Sequence, residues 1–205
     1  MTKPFSQACE NNKQPILDVL TQYVTEPGMV VEIGSGTGQH AIHMAQHLPH
    51  VLWQPTDMAE NLPGIEAWRE ESQLPNVAPA LSFDVWDSAL PVVPARYLYS
   101  ANTLHIMSWE TVQRFFSLIP QLLTRDGYAF FYGPFNYNGE FTSPSNAQFD
   151  QWLKQRASHQ GIRDFEAISD LAAEAGLALV QDHPMPANSG WRDRDRSPPV
   201  RRSGW

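Results

Sequence analysis

From Val30 to His40 the chain reads VVEIGSGTGQH. A short apolar run meets glycines at positions 34, 36 and 38, and the residues after them, 38–48, carry apolar side chains at helical spacing. A strand that passes into a helix through alternating glycines opens an α/β unit. Glycine tolerates positive φ and lets another group come close to the backbone. The sequence excludes some occupants of such a loop. A P-loop needs Gly-Lys-Ser/Thr, which is absent. The dinucleotide fingerprint needs its third small residue one place later, where Gln39 stands, and this disfavours a nicotinamide-dependent oxidoreductase. Glu32 would oppose a pyrophosphate and suits a cationic ligand.

The rest of the chain repeats the alternation. Helical spacing covers 12–24, 64–73, 109–123, 145–157 and 164–176, with Ser145 and Asp164 as caps of the last two. Strand patterns cover 28–34, 50–57, 78–84, 95–102, 127–135 and 177–183. Strands that alternate with helices of this length imply a mostly parallel sheet with helices on both faces. The expectation is one α/β domain over residues 1–188.

Residues 189–205 differ. They hold five of the 14 basic side chains and two of the 22 acidic ones, so the rest of the chain carries 9 basic against 20 acidic. An acidic body repels phosphate backbones, so nucleic acid is not an expected partner. The Arg-rich tail has no apolar periodicity and is expected to be disordered and dispensable. No apolar run reaches the roughly 20 residues that span a bilayer, and the N-terminus has no apolar signal region. A cytoplasmic protein with no membrane partner is the expectation. Cys9 is the only cysteine, so the chain has no intrachain disulfide and no thiolate-rich zinc site. His40, His43, His47 and His50 fall on a helical stripe opposite Ile42, Ala45 and Leu48. Such a stripe is usually solvated, and HMAQH lacks the glutamate of a zinc helix, so no metal is expected. His40 is the exception, since it sits beside the glycine loop.

Three acids close three successive strand patterns: Glu32, Asp57 and Asp84. Ligands of an open parallel sheet bind at this edge, near the topological switch point. Asp57 can accept hydrogen bonds from a ribose diol. Asp84, followed by Val85, can accept from an exocyclic adenine amine.

Glycine loop and acids together resemble the class I S-adenosylmethionine-dependent methyltransferases. The segments SQACENNKQPIL, EIGSGTGQHAIHMAQHLPHVLWQPTD, ANTLHIMSW, YGPFNYNGEFTSPSNAQFDQWL, GIRDFEAI and MPAN narrow the resemblance. Over roughly residues 5–188 the chain is similar to the domain family of unknown function numbered 938, which includes methyltransferase-like protein 26. The resemblance implies a Rossmann-like methyltransferase fold and S-adenosylmethionine as cofactor. The expected cofactor set is Glu32, Gly34, Gly36, Gly38, His40, Asp57, Asp84, Val85 and Asn102. In the family another Asn and an apolar last strand follow MPAN. Here SGWRDRDRSPPVRRSGW follows, so the last antiparallel strand is expected to be missing.

The fourth strand ends in SANTLHIMSW without the Asn-Pro-Pro-Tyr/Phe signature of amine methylation. Asn102 is placed to touch cofactor or substrate. His105 is either a general base, with an imidazole that titrates near pH 6.5, or a hydrogen-bonded loop histidine. Asn12, Tyr132, Phe135, Asn146, Phe149 and Arg163 are expected to line a pocket for a small-molecule acceptor, and Glu10 and Lys13 to close it. Methyl transfer is the leading activity. A non-catalytic cofactor-binding or interaction protein on the same fold is the alternative.

Overall fold

The computed structural model describes residues 3–87, 89–90, 92–186, 194–197 and 199–202. In chain order the elements are α1 (Gln7–Tyr23), β1 (Gly28–Ile33), α2 (Gln39–His47), β2 (Val51–Asp57) and α3 (Leu62–Ser72). There follow β3 (Leu81–Ser82), β4 (Ala95–Ala101), α4 (Trp109–Leu122), β5 (Leu123–Tyr132) and β6 (Phe135–Asn136). The chain continues through α5 (Pro144–Arg156), β7 (Arg163–Asp164), α6 (Phe165–Glu174), β8 (Leu177–Leu179), β9 (His183–Pro186), β10 (Arg194–Ser197) and β11 (Pro199–Arg202).

The main sheet has the order β3-β2-β1-β4-β5-β11-β8. Its first five strands pair in parallel, and β11 runs antiparallel to both β5 and β8. The order reverses between β1 and β4, and that switch point is where a ligand crevice forms. Strand side chains alternate between the two faces. Val31, Leu98 and Phe131 pack with Phe115, Ile119 and Ile168 on the α4/α6 side. Val30, Tyr97, Tyr99 and Phe130 pack with Leu17, Leu20 and Met44 on the α1/α2 side. Both faces are buried, which is why these strands read as nearly continuous apolar runs.

Three expectations change. The missing last strand is corrected: β11 pairs Val200 with Ala129 of β5 and with Leu179 of β8. A strand is recruited through its backbone N–H and C=O groups, so an Arg-rich segment can fill a gap between two open edges. Residues 194–197 and 199–202 of the tail are thus extended and paired, while 187–193, 198 and 203–205 lie outside the described residues. The first helix begins at Gln7, not residue 12, because Ser6 caps it and Ser6 Oγ accepts from Cys9 N. The α5 cap is Ser143 and not Ser145: Ser143 Oγ accepts from Asn146 N at 3.1 Å, while Ser145 Oγ pairs with Ser143 Oγ.

Candidate active site

A cleft of about 1400 Å³ lies over the switch point at the carboxyl edge of β1, β2 and β4. The glycine loop forms one wall. Gly34, Gly36 and Gly38 all have positive φ, at 75°, 56° and 88°. At Gly34 a Cβ would stand 2.7 Å from Thr103 Oγ1, so the loop and the β4 end approach more closely than any side chain permits. Gly34 N and Ser35 N both donate to Thr56 O at 3.0 Å, which ties the loop to β2.

Asp57 organises the loop from β2. Its Oδ2 accepts from Gly36 N at 2.6 Å, and its Oδ1 accepts from Met58 N at 2.7 Å and Asn61 Nδ2 at 2.8 Å. Asp84 is half-buried at the cleft and accepts from Trp86 N at 2.9 Å. Val85 lines the same wall. Asn102 also lines it, in a left-handed conformation with φ 57°. Such a backbone angle in a non-glycine residue is uncommon and concentrates at functional sites.

Glu32 does not line the cleft. It belongs to the interior of β1 and points to the α1/α2 face, where it is 2 % exposed and accepts from Trp53 Nε1 at 2.9 Å. A side chain just short of a strand end faces one side of the sheet, not its edge. Burial pushes the Glu32 carboxyl up to about 7 against the opposing hydrogen bond from Trp53. Gly38 likewise stands behind the cleft wall, at the start of α2.

His40 lines the cleft and is buried. Its Nε2 meets Asn12 Oδ1 at 2.7 Å, and its Nδ1 meets the Tyr99 hydroxyl at 3.1 Å. Asn12 Oδ1 can only accept, so the proton sits on Nε2 and the hydroxyl donates to Nδ1. Burial, with the nearby His43, lowers His40 to about 4, so the ring is neutral at cellular pH. Asn12 therefore supports His40 and does not itself reach the cleft. Of the expected solvated stripe His47 and His50 are exposed and only His43, half-buried, departs; His40, the expected exception, packs inward with Ala41 and Met44. Among the described residues no group of three or more His, Cys, Asp or Glu could hold a metal ion.

Opposite the loop stand His105 and α5. His105 is 4 % exposed, lines the cleft and has no hydrogen-bond partner for its ring among the described residues. Burial first, and the Arg163 charge second, lower it to about 4. The expected titration near pH 6.5 is therefore displaced, and the ring stays neutral over the physiological range. Phe149 and Asn146 line the cleft from α5, with Asn146 Nδ2 donating to Thr142 Oγ1 at 2.7 Å.

Besides Asn12, three residues expected in the substrate pocket have other places. Tyr132 and Phe135 are core residues on opposite faces of the sheet. Arg163 clamps the segment that carries His105: its Nε donates to Leu104 O, and its Nη2 donates to Met107 O and His159 O. These bonds hold it beneath the 104–107 segment, so it positions His105, and it does not line the cleft.

Sequence reasoning missed Gln39. Its Oε1 accepts from Ser6 N at 2.5 Å, and its Nε2 donates to Glu10 Oε1 at 2.6 Å. Glu10 also pairs with Lys13 at 2.5 Å. These bonds fasten the start of α1 beside the loop, so Ser6 and Cys9 line the cleft. The residue that breaks the dinucleotide fingerprint is thus the tether of the N-terminal segment. Burial raises the Cys9 thiol, which keeps it protonated.

Among solved structures, an O-methyltransferase family protein from Burkholderia thailandensis has a TM-score of 0.77 at 15 % identity, over 96 % of this chain and 59 % of that one. Mitomycin 7-O-methyltransferase gives 0.76 at 16 %, over 94 % and 54 %. The YcgJ protein from Bacillus subtilis gives 0.71 at 13 %, over 93 % and 100 %. This chain spans little more than half the length of the two O-methyltransferases, and at these identities the likeness is one of fold. Residues 3–192 match the family described as "Protein of unknown function (DUF938)". With that match over nearly its whole length, the chain belongs to the DUF938 family, and its fold is the Rossmann-like fold of methyltransferases.

Proposed function

We propose that the protein is an S-adenosylmethionine-dependent methyltransferase that acts on a small-molecule acceptor. The observation that carries this is the two-ended cleft. Asp57, Asp84 and the glycine loop wall one end, and the unpartnered, neutral His105 walls the other. Its volume of about 1400 Å³ exceeds the roughly 300–1,000 Å³ of ordinary ligand pockets, enough for a cofactor and an acceptor together.

The residues present fit the cofactor. A carboxylate has about four acceptor positions. Asp57 uses three of its own, on Gly36 N, Met58 N and Asn61 Nδ2, so one position on Oδ2 remains for a ribose hydroxyl. Asp84 and Val85 would take the adenine, and Gly34, Gly36 and Asn102 the methionine part. Two carboxylates at this end favour a sulfonium. When bound, the cofactor supplies an electrophilic methyl group. His105 would hold the acceptor by a hydrogen bond or take its proton. No described helix is long and apolar enough to cross a membrane, and we place the activity in the cytoplasm. Within the family we assign the chain to the methyltransferase-like protein 26 type, on HAIHMAQHLPHVLWQPTD and SNAQFD.

Calorimetry is expected to detect binding of S-adenosylmethionine and S-adenosylhomocysteine and none of NAD. Binding of NAD alone would overturn the proposal. Release of S-adenosylhomocysteine in the presence of acceptors separates an enzyme from a non-catalytic binding protein. Asp57→Ala is expected to weaken cofactor binding by about 1.5–3 kcal/mol, the range for a hydrogen bond to a charged group. An unchanged affinity in that variant would remove Asp57 from the ribose role.

A further inference from the structure

We propose that the acceptor end of the cleft selects planar aromatic carboxylates. This rests on the assignment of the opposite end to the cofactor. Phe149, Trp152 and Arg156 line the cleft at helical spacings of three and four, so α5 turns one face to it. The Phe149 and Trp152 rings are nearly parallel, with centroids 5.8 Å apart and planes at 14°. His105 meets Phe149 edge-on at 5.4 Å. Trp152 is still 51 % exposed, an unusual state for a large apolar ring. A planar aromatic ligand would cover that surface in the offset or edge-to-face arrangements that aromatic rings favour.

Charge gives the second element. Among the described residues that line the cleft, Arg156 is the only Lys or Arg. Its guanidinium lies 5.8 Å from the Trp152 ring, and it forms no ion pair among the described residues. The neighbouring cation, Lys154, is spent on Asp150 at 2.6 Å. Asp57 and Asp84 stand at the opposite end of the cleft and repel an anion. The cleft is therefore electrically polar along its length, and a carboxylate is driven towards Arg156. A guanidinium matches the planar carboxylate with two parallel N–H donors. A ring carrying a carboxylate would satisfy the aromatic pair and the unpaired cation together.

Calorimetry on the full chain with 2-naphthoate, 2-naphthol and cyclohexanecarboxylate tests this, with S-adenosylhomocysteine titrated in parallel. 2-Naphthoate is expected to bind most tightly. Arg156→Gln should weaken it about fivefold, to the level of 2-naphthol, since the pair is at an exposed rim. Trp152→Ala should weaken both naphthyl ligands about tenfold. Neither variant should change S-adenosylhomocysteine affinity. Equal affinity for 2-naphthoate and 2-naphthol in the unaltered protein, or equally tight cyclohexanecarboxylate, would overturn the inference. Binding of S-adenosylhomocysteine without any naphthyl ligand overturns it alone. Binding of neither overturns it together with the methyltransferase proposal.

Discussion

Replacing His105 by alanine is expected to lower methyl-transfer turnover by roughly 10²–10⁴-fold, the usual contribution of a positioned acid–base group. S-Adenosylhomocysteine affinity should stay as it is, because Asp57 and Asp84 are assigned to the nucleoside. The geometry behind this is specific. The ring is buried at the cleft, has no hydrogen-bond partner among the described residues, and sits on a segment held at two carbonyls, Leu104 O and Met107 O, by Arg163. The pH profile gives a second readout. Burial and the Arg163 charge depress the imidazole to about 4, so the neutral form persists well below the usual histidine range. The rate of the unaltered protein should be flat from about pH 8 to 5 and fall only as the pH approaches 4. A rate that halves near pH 6.5, the unperturbed value, would show that His105 is not the controlling group. Full turnover in His105→Ala would return it to a structural role and point to an acceptor that arrives already deprotonated.

Ending the chain after Asn188 is expected to destabilise the protein by roughly 3–5 kcal/mol, a large share of the 5–15 kcal/mol that holds a domain together. The cut removes β10 and β11. β11 pairs at three positions with β5 and at three with β8, and each hydrogen bond lost contributes about 0.5–1.5 kcal/mol net. It also opens the edge of β5, a long central strand with Ala129, Phe130 and Phe131 in the core. An open apolar edge is a template for association, so the shortened chain should aggregate as well as unfold earlier. Denaturant midpoints and size-exclusion profiles of the two chains decide this. Equal midpoints would show that β11 adds nothing to the fold, as the tail's composition by itself implies.

That contrast marks where the sequence stops being sufficient. β1, the loop and α2 are legible almost to the residue, since apolar alternation, glycine spacing and helical period are all local signals. β2 and β4 end within one residue of their expected limits. β3 does not: the pattern spans 78–84 but the strand covers only Leu81–Ser82, with an isolated bridge from Val77 to Trp53 of β2 before it. Pro79 lacks an N–H, and β3 is an edge strand with a single neighbour.

The sequence by itself determined the alternation of strands and helices, the glycine loop, and the two carboxylates, Asp57 and Asp84, that reach the cleft. Only the tertiary structure decided that Glu32 faces Trp53, that Arg163 is spent on the His105 segment and that Gln39 ties α1 to the loop. It alone decided that Tyr132 and Phe135 belong to the core, and that an Arg-rich segment completes the sheet. The physical reason is range. Periodicity and turn chemistry act over a few residues. A side chain's partner, its burial and its proton affinity are set by groups tens of residues away in the chain, and these meet only when the sheet has assembled.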